Sequence, residues 1–355
     1  MSNFGVKTSC RMILSELSVS LGNVGSVDDY TFEVSIVIAA YNVSAHVERA
    51  IRSALAQTMP DIEILVVDDA STDDTAERVA RLATSDPRIR LIRMSENGGP
   101  GHARNQALRS ARGRWIAVLD ADDFWVPTRL RRLLDASDDC DLVFDNLMGF
   151  DLHAGHATGP IFPLLPPAGL TLEDLLAPTA PGTTYDFGYL QPLMRTAFLR
   201  EHNIAYVPEL RANEDLVLSV TALIARARTA TVPDALYIYT TPVGGQSGRP
   251  SSASKTIPGV SPVCRVLLEV MERNAGVLTA AERAAFTLRL NHIAALGAIA
   301  LFRHAHLRRD YIRLLRILAT RPDVRHYLWH RIRLELARRA RGSRRSALVG
   351  GDRRP

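Results

Sequence analysis

Lysine is nearly absent: this chain of 355 residues has two, Lys7 and Lys255, and arginine supplies the rest of its positive charge. Cysteine is scarce too. Cys10, Cys140 and Cys264 are odd in number and far apart, which argues against a disulfide framework and against any zinc or redox spacing. A reduced, cytoplasmic compartment is the expectation. The N-terminus lacks a basic region followed by a long apolar core, so no secretory signal is expected. Long apolar runs are missing as well. The most apolar late stretch, Ile293 to Phe302, is flanked by Arg289, His292 and Arg303 and is too short to span a bilayer. No internal repeat is visible.

The net charge of +5 hides an asymmetry. From Arg303 onward sixteen arginines face four acids, Asp310, Asp323, Glu335 and Asp352, an excess of twelve. The remainder of the chain is therefore net negative by seven. A nucleic-acid-binding protein would spread basic surface across its fold. Here the charge belongs to the tail, and no nucleic-acid partner is expected.

What is present has a clear order. Val34 to Ala40 is a continuous β-branched run, a buried parallel strand ended by Tyr41-Asn42. Val47, Ala50, Ile51 and Ala54 follow at helical spacing, and Pro60-Asp61 breaks the helix. Glu63 to Val67 is a second strand, ending at Asp68-Asp69, and a helix is expected over Thr75 to Ala83. Ile89 to Arg93 is a third strand. Asn97-Gly98-Gly99-Pro100-Gly101 is too glycine-rich to be regular, and Ala103 to Ala111 is a helix closed by Gly113. Trp115 to Leu119 is a buried strand that runs into Asp120, Asp122 and Asp123. Strand and helix alternating in this way predict a doubly wound, mostly parallel α/β sheet. The polar strand ends then share one edge, where ligands of such sheets bind.

Alternate residues of an extended segment share a face, so Asp120 and Asp122 are expected on one side. Two hard oxygen ligands with the remaining shell open suit Mg²⁺ or Mn²⁺ carrying a substrate diphosphate. A polar turn after a strand is the plainer alternative for an Asp-x-Asp triplet. Farther on, a helix over Arg129 to Ala136 and a strand over Leu142 to Phe144 are expected. Residues 151 to 185 read as a surface excursion, rich in Pro and Gly. Leu190 to Arg200 is an apolar segment leading into a helix. A further helix opens at Asn213-Glu214-Asp215, Ala235 to Tyr239 is a late strand, and residues 262 to 340 read as helical, ending in a basic run.

Four ordered stretches, Val-Ser-Ile-Val-Ile-Ala-Ala-Tyr-Asn, Val-Asp-Asp-Ala-Ser-Thr-Asp-Asp-Thr, Asn-Gly-Gly-Pro-Gly-His-Ala-Arg-Asn and Leu-Asp-Ala-Asp-Asp, cover residues 33 to 127. They resemble the family 2 glycosyltransferases of GT-A fold, and the spread of features resembles the bacterial exopolysaccharide enzymes of the succinoglycan type. The match weakens over 215 to 255 and stops beyond. The resemblance implies a nucleotide-sugar site of Ala39, Tyr41, Asp68, Asp69, Asn97, Gly98, Gly99, Arg104 and Asp120. Tyr41 would contact the base and Asp69 would accept the uracil imide hydrogen, which favours UDP over CDP. Glycines 98, 99 and 101 would let backbone approach the sugar. Arg104 would reach the diphosphate. Asp122 would hold the Mg²⁺ or Mn²⁺ cofactor, with Asp120 nearer the ribose or a water shell. Of the Glu214-Asp215 pair, Asp215 would be the base for an inverting displacement. Loop 241 to 255, with Arg249, would close over bound donor.

The same resemblance implies a glucose donor, a β-linked product and a lipid-linked oligosaccharide acceptor in exopolysaccharide assembly. The Arg-rich C-terminal helices would dock on an anionic membrane surface, which places the protein peripherally on the cytoplasmic face. The expected division is an extension over 1–32, a transferase domain over 33–258 and a helical Arg-rich region over 259–355. Within the transferase domain, 33–127 is the nucleotide-sugar half and 128–258 the acceptor half. Two rivals are weighed against this. A sugar nucleotidyltransferase needs a glycine-rich basic loop after the first strand, where this chain has Ala39-Ala40-Tyr41-Asn42. A non-enzymatic binding protein would have to act through the basic tail alone.

Overall fold

The computed structural model describes residues 30–178, 185–241, 262–307 and 309–321, together with 325 and 329. One sheet of nine strands organises it, in the order β3-β2-β1-β4-β8-β6-β9-β5, with β7 paired to β6. β1 (Phe32–Ala40), β2 (Ile62–Asp68), β3 (Ile89–Arg93) and β4 (Gly113–Val118) are mutually parallel. Their continuous apolar runs are what burial on both faces requires. Every residue of β2 is buried, and Val34, Ile36, Val37 and Ile38 of β1 are fully so. β8 (Leu193–Arg195) lies antiparallel between β4 and β6 (Leu142–Asp151). β6 then pairs in parallel with β9 (Thr229–Thr241), and the short β5 (Phe124–Trp125) runs antiparallel along β9. Most strands thus share one direction, as expected.

Helices α1 (Val47–Leu55), α2 (Thr75–Ser85) and α3 (Pro100–Ser110) are the crossovers of the parallel half. α3 starts three residues earlier than expected, because Gly99 caps it at φ +89° and Pro100 takes the first turn, where its missing N–H costs nothing. α4 (Arg129–Asp135) follows β5, and α6 (Thr196–Glu201) follows β8. α7 (Glu214–Ile224) leads into β9.

The segment read as a surface excursion is only partly one. β7 (His156–Pro160) forms a hairpin with β6, and α5 (Leu172–Leu176) carries a reciprocal Thr171–Asp174 capping box. Leu165, Leu170, Leu172, Leu175 and Leu176 are all buried. Pro and Gly set the turns there, while leucines too closely spaced to show a period supply an apolar face. Of the expected helical stretch over 262–340, the described part up to residue 321 is helical: α8 (Pro262–Arg273), α9 (Ala280–Leu307) and α10 (Tyr311–Thr320). The basic run that ends it, residues 242–255 of the expected closing loop with Arg249, and residues 1–29 of the extension lie outside the described residues. No described helix is long and apolar enough to cross a membrane.

Candidate active site

The C-terminal edge of the parallel strands collects the polar residues. Ala40 and Asp68 are register partners, Asp69 N donates to Ala40 O at 2.8 Å, and Leu119 N donates to Val37 O at 2.9 Å. β1, β2 and β4 therefore end side by side. Tyr41 stands at this edge, 46% exposed. Asn42 and Ala70 both adopt left-handed backbone, φ 52° and 58°, and turn their strands out of the sheet. The two turns are laced together: Thr72 N donates to Asn42 Oδ1 at 2.8 Å, and Asn42 N donates to Ser71 Oγ at 3.0 Å.

Asp68 and Asp69 divide their work differently from the sequence expectation. Asp69 accepts from Gly98 N at Oδ1 and Gly99 N at Oδ2, both at 2.8 Å. Asn97 adds a bond from Nδ2 to Asp69 O at 3.1 Å, and Arg211 donates to Asn97 Oδ1 at 3.1 Å. Burial pushes the Asp69 carboxyl up from its usual range, against those two amide donors. Both its oxygens thus help shape the glycine loop. Asp68 uses Oδ2 to accept from Ser71 N at 3.3 Å, while its buried Oδ1 has no hydrogen-bond partner. A buried acceptor without a donor is costly unless a ligand supplies one. Gly99, at φ +89°, holds a backbone conformation that residues with a side chain rarely adopt.

The acidic turn also differs in detail. Asp123 N donates to Asp120 O at 3.0 Å, so the chain turns here instead of staying extended. Strand alternation therefore does not set the carboxylates' directions. Asp120 N donates to Tyr237 Oη at 3.1 Å, and Asp123 Oδ1 accepts from Thr240 N at 2.7 Å, so β9 holds the turn in place. Arg49 of α1 donates to Asp122 O at 2.5 Å and lies 4.6 Å over the Phe124 ring. Burial, with the neighbouring Asp120 charge, raises the Asp122 carboxyl to about 6. Burial also lifts Asp123 well above its usual range, Asp122 and Asp120 adding to it.

Among the described residues no three His, Cys, Asp or Glu side chains are arranged to hold a metal by themselves. Asp120 and Asp122 still fit a hard divalent cation. They are oxygen donors in a partly buried acidic cluster, and a substrate diphosphate would complete the shell.

Arg104 joins the acidic turn to the start of α7. It donates to Asp120 Oδ1 at 2.5 Å, to Glu214 Oε1 at 2.8 Å and to Asp215 Oδ1 at 3.0 Å. It is 4% exposed and lies 5.2 Å over the Tyr206 ring. Burial opposes its charge, but Asp215 and Asp120 outweigh that. The sequence placed Arg104 at a diphosphate; here its guanidinium is committed to three carboxylates. Its helix is fixed by Asn105, which donates Nδ2 to Tyr206 O at 2.8 Å and accepts from Tyr206 N at 2.9 Å. Asn213, in left-handed backbone at φ 61°, puts Glu214 and Asp215 in the first turn of α7, where the helix dipole favours anions. Burial raises Glu214 to about 7, Arg104 opposing. Burial raises Asp215 as well, Arg104 again opposing, and Gln191 and Tyr206 lie beside it as donors.

Residues 35–193 match the model of the family described as Glycosyl transferase family 2. The matched stretch contains the pocket edge, the glycine loop and the acidic turn. Over that stretch the chain is similar to the family 2 glycosyltransferases. Relatives agree. The chain is 40% identical over 216 residues to the succinoglycan biosynthesis protein ExoO of Rhizobium meliloti (strain 1021), covering 58% of this chain and 60% of that one. It is 40% identical over 205 residues to ExoU of the same strain, covering 55% and 58%. The chain thus spans about three-fifths of the length of these curated relatives. The crystal structure of S. aureus TarS 1-349 in complex with UDP-GlcNAc shares the fold, with a TM-score of 0.56 at 18% identity, over 80% of this chain and 90% of that one.

Sequence reasoning missed Arg49, Tyr206, Arg211 and Tyr237, which build the site's walls. None stands in a motif, and an arginine on a helix or an aromatic in a strand gives no signal until the chain folds.

Proposed function

We propose that the protein is an inverting, metal-dependent glycosyltransferase. It moves glucose from UDP-glucose to a hydroxyl of a lipid-linked oligosaccharide in bacterial exopolysaccharide assembly, forming a β-linkage. The observation that carries the reading is Arg104, whose single guanidinium holds both the acidic turn and the Glu214–Asp215 pair. A base and a leaving-group site must face opposite sides of one anomeric carbon, and this bridge sets their separation. The names of the relatives support the polysaccharide context. A shorter match, 46% identical over 97 residues, is an Escherichia coli protein named as a UDP-Glc:alpha-D-GlcNAc-diphosphoundecaprenol beta-1,3-glucosyltransferase; it covers 27% of this chain and 38% of that one.

Tyr41 flanks the base, and the unpartnered Asp68 Oδ1 accepts its imide N–H. The loop from Gly98 to Gly101, tied down by Asp69, lies against the donor sugar. Asp122 and Asp120 would hold Mg²⁺ or Mn²⁺, which neutralises charge on the departing diphosphate. Asp215 takes the proton of the acceptor hydroxyl as its oxygen bonds to the anomeric carbon and the bond to the diphosphate breaks, inverting that carbon. Glu214 shares Arg104 with Asp215, and that guanidinium compensates the charge of the pair.

We place the enzyme peripherally on the inner face of the cytoplasmic membrane. α10 exposes Tyr311, Ile312 and Leu315 at 66%, 83% and 68%, with exposed Arg309 and Arg316 beside them. An apolar face flanked by arginine suits an anionic bilayer surface.

The test of mechanism is Asp215→Asn. Transfer from UDP-glucose to a lipid-linked acceptor should fall by about 10²–10⁴-fold while UDP affinity stays within about twofold. Wild-type transfer rates in the variant would refute the assignment of the base.

A further inference from the structure

Three tyrosines between the acidic turn and the base helix have no part in the donor site. Tyr185 lies just before the 3-10 turn Phe187–Tyr189, Tyr189 ends it, and Tyr239 lies on β9. Their rings meet edge to face: centroids are 5.1 Å apart for Tyr185–Tyr189, 5.6 Å for Tyr185–Tyr239 and 6.1 Å for Tyr189–Tyr239. Tyr189 is 38% exposed and the other two are half-buried. Their hydroxyls have no hydrogen-bond partner among the described residues.

The cluster is anchored on both sides of the chemistry. Tyr239 shares a face of β9 with Tyr237, whose hydroxyl accepts from Asp120 N. Its neighbour Thr240 donates to Asp123 Oδ1. On the other side, Tyr189 is two residues from Gln191, which lies against Asp215. The turn itself sits tightly on α7, since a Cβ on Gly188 would come within 3.0 Å of Leu216 Cβ. Burial, and after it the Asp123 charge, raises the Tyr185 and Tyr239 hydroxyls, so both remain protonated donors at neutral pH.

We propose that Tyr185, Tyr189 and Tyr239 form a stacking subsite for a pyranose ring of the acceptor saccharide. A pyranose has an apolar C–H face and a rim of hydroxyls. Half-exposed tyrosines offer the matching pair, an aromatic surface and a polar tip. A ring lying on them has its hydroxyl rim beside Gln191, which lies against Asp215. The inference rests on the reading of Asp215 as base and names the acceptor chemistry of that same site.

The C-terminal helices hold this subsite. Arg289 of α9, 2% exposed, donates to Asp186 Oδ2 at 2.7 Å and to Ala177 O at 3.3 Å. Asp186 caps the tyrosine turn by accepting from Gly188 N at 3.0 Å. Arg289 is therefore a positioning residue for the subsite, held to its turn through Asp186.

The test is saturation-transfer NMR on the full chain with methyl β-D-glucopyranoside, methyl β-D-galactopyranoside and methyl α-D-mannopyranoside, in the presence of UDP and Mn²⁺. UDP affinity is measured in parallel. At least one pyranoside should be saturated, most strongly at ring C–H protons. Tyr189→Ala should cut that signal about fivefold, and Tyr189→Phe should retain most of it. Arg289→Met should weaken it as well, with recovery in Arg289→Lys, while UDP affinity stays unchanged in every variant. An equal signal in wild type and Tyr189→Ala, or no signal from any pyranoside, would overturn the subsite. Failure of the wild type to bind UDP would instead count against the transferase reading, and the saccharide signal would still decide the subsite on its own.

Discussion

Replacing Arg129 with Met removes the cation from the most deeply buried ion pair among the described residues. Arg129 is fully buried and its partner Asp145 is 1% exposed. Nε donates to Asp145 Oδ2 at 2.8 Å, and Nη2 donates to Asp145 Oδ1 at 2.7 Å and to Gln191 O at 2.6 Å. The guanidinium also lies 4.4 Å from the Trp125 ring and 5.1 Å from the Tyr237 ring. Methionine fills most of that volume but leaves Asp145 without a counter-ion. An uncompensated buried charge costs about 3–5 kcal/mol, so urea unfolding should show a loss of that size.

The loss has a predicted pH dependence. Burial already raises Asp145 above its ordinary range, with Arg129 opposing. Without Arg129 the folded-state value rises further, while the unfolded value does not change. The native variant then binds a proton that the unfolded chain has released, and its stability falls as pH rises. The deficit should be smallest near the ordinary aspartate range and should grow from there toward neutrality. Arg129→Met with Asp145→Leu should recover much of the loss, because apolar residues often replace a buried pair without penalty. A single-variant cost under about 1 kcal/mol, or a double variant no more stable than the single, would refute the reasoning.

Two further outcomes follow from the site and the surface. Asp68→Asn should weaken UDP binding by about tenfold, because an amide can place a donor where the imide N–H needs an acceptor; calorimetry with UDP checks this, and unchanged affinity would return the role to another group. Ile312→Asp with Leu315→Asp should lower sedimentation with vesicles of anionic lipid while leaving UDP affinity intact, and equal sedimentation of wild type and variant would remove α10 from the membrane contact.

Much of this arrangement is legible in the sequence because strands buried on both faces leave continuous β-branched runs. β1 and β2 announce themselves that way, and the polar residues that end them fall where parallel strands put ligand sites. Family resemblance then singles out Glu214 and Asp215, which the structure brings within reach of Asp120 through Arg104. Arg104 itself is not legible. A helical arginine is ordinarily a solvated one, and only the packing of Tyr206 and Asn105 shows that α3 turns this one inward. Asp68 and Asp69 are adjacent and chemically identical. Which of them shapes the glycine loop depends on backbone directions that a sequence does not display. The buried leucines between Leu165 and Leu176 are hidden by the Pro and Gly around them.

The most direct test of the central claim is calorimetric titration of UDP into the protein with and without Mn²⁺, in wild type and in Asp122→Ala. The account predicts binding that depends on the metal and disappears with the substitution. No UDP binding in either condition would contradict a donor site built on the acidic turn.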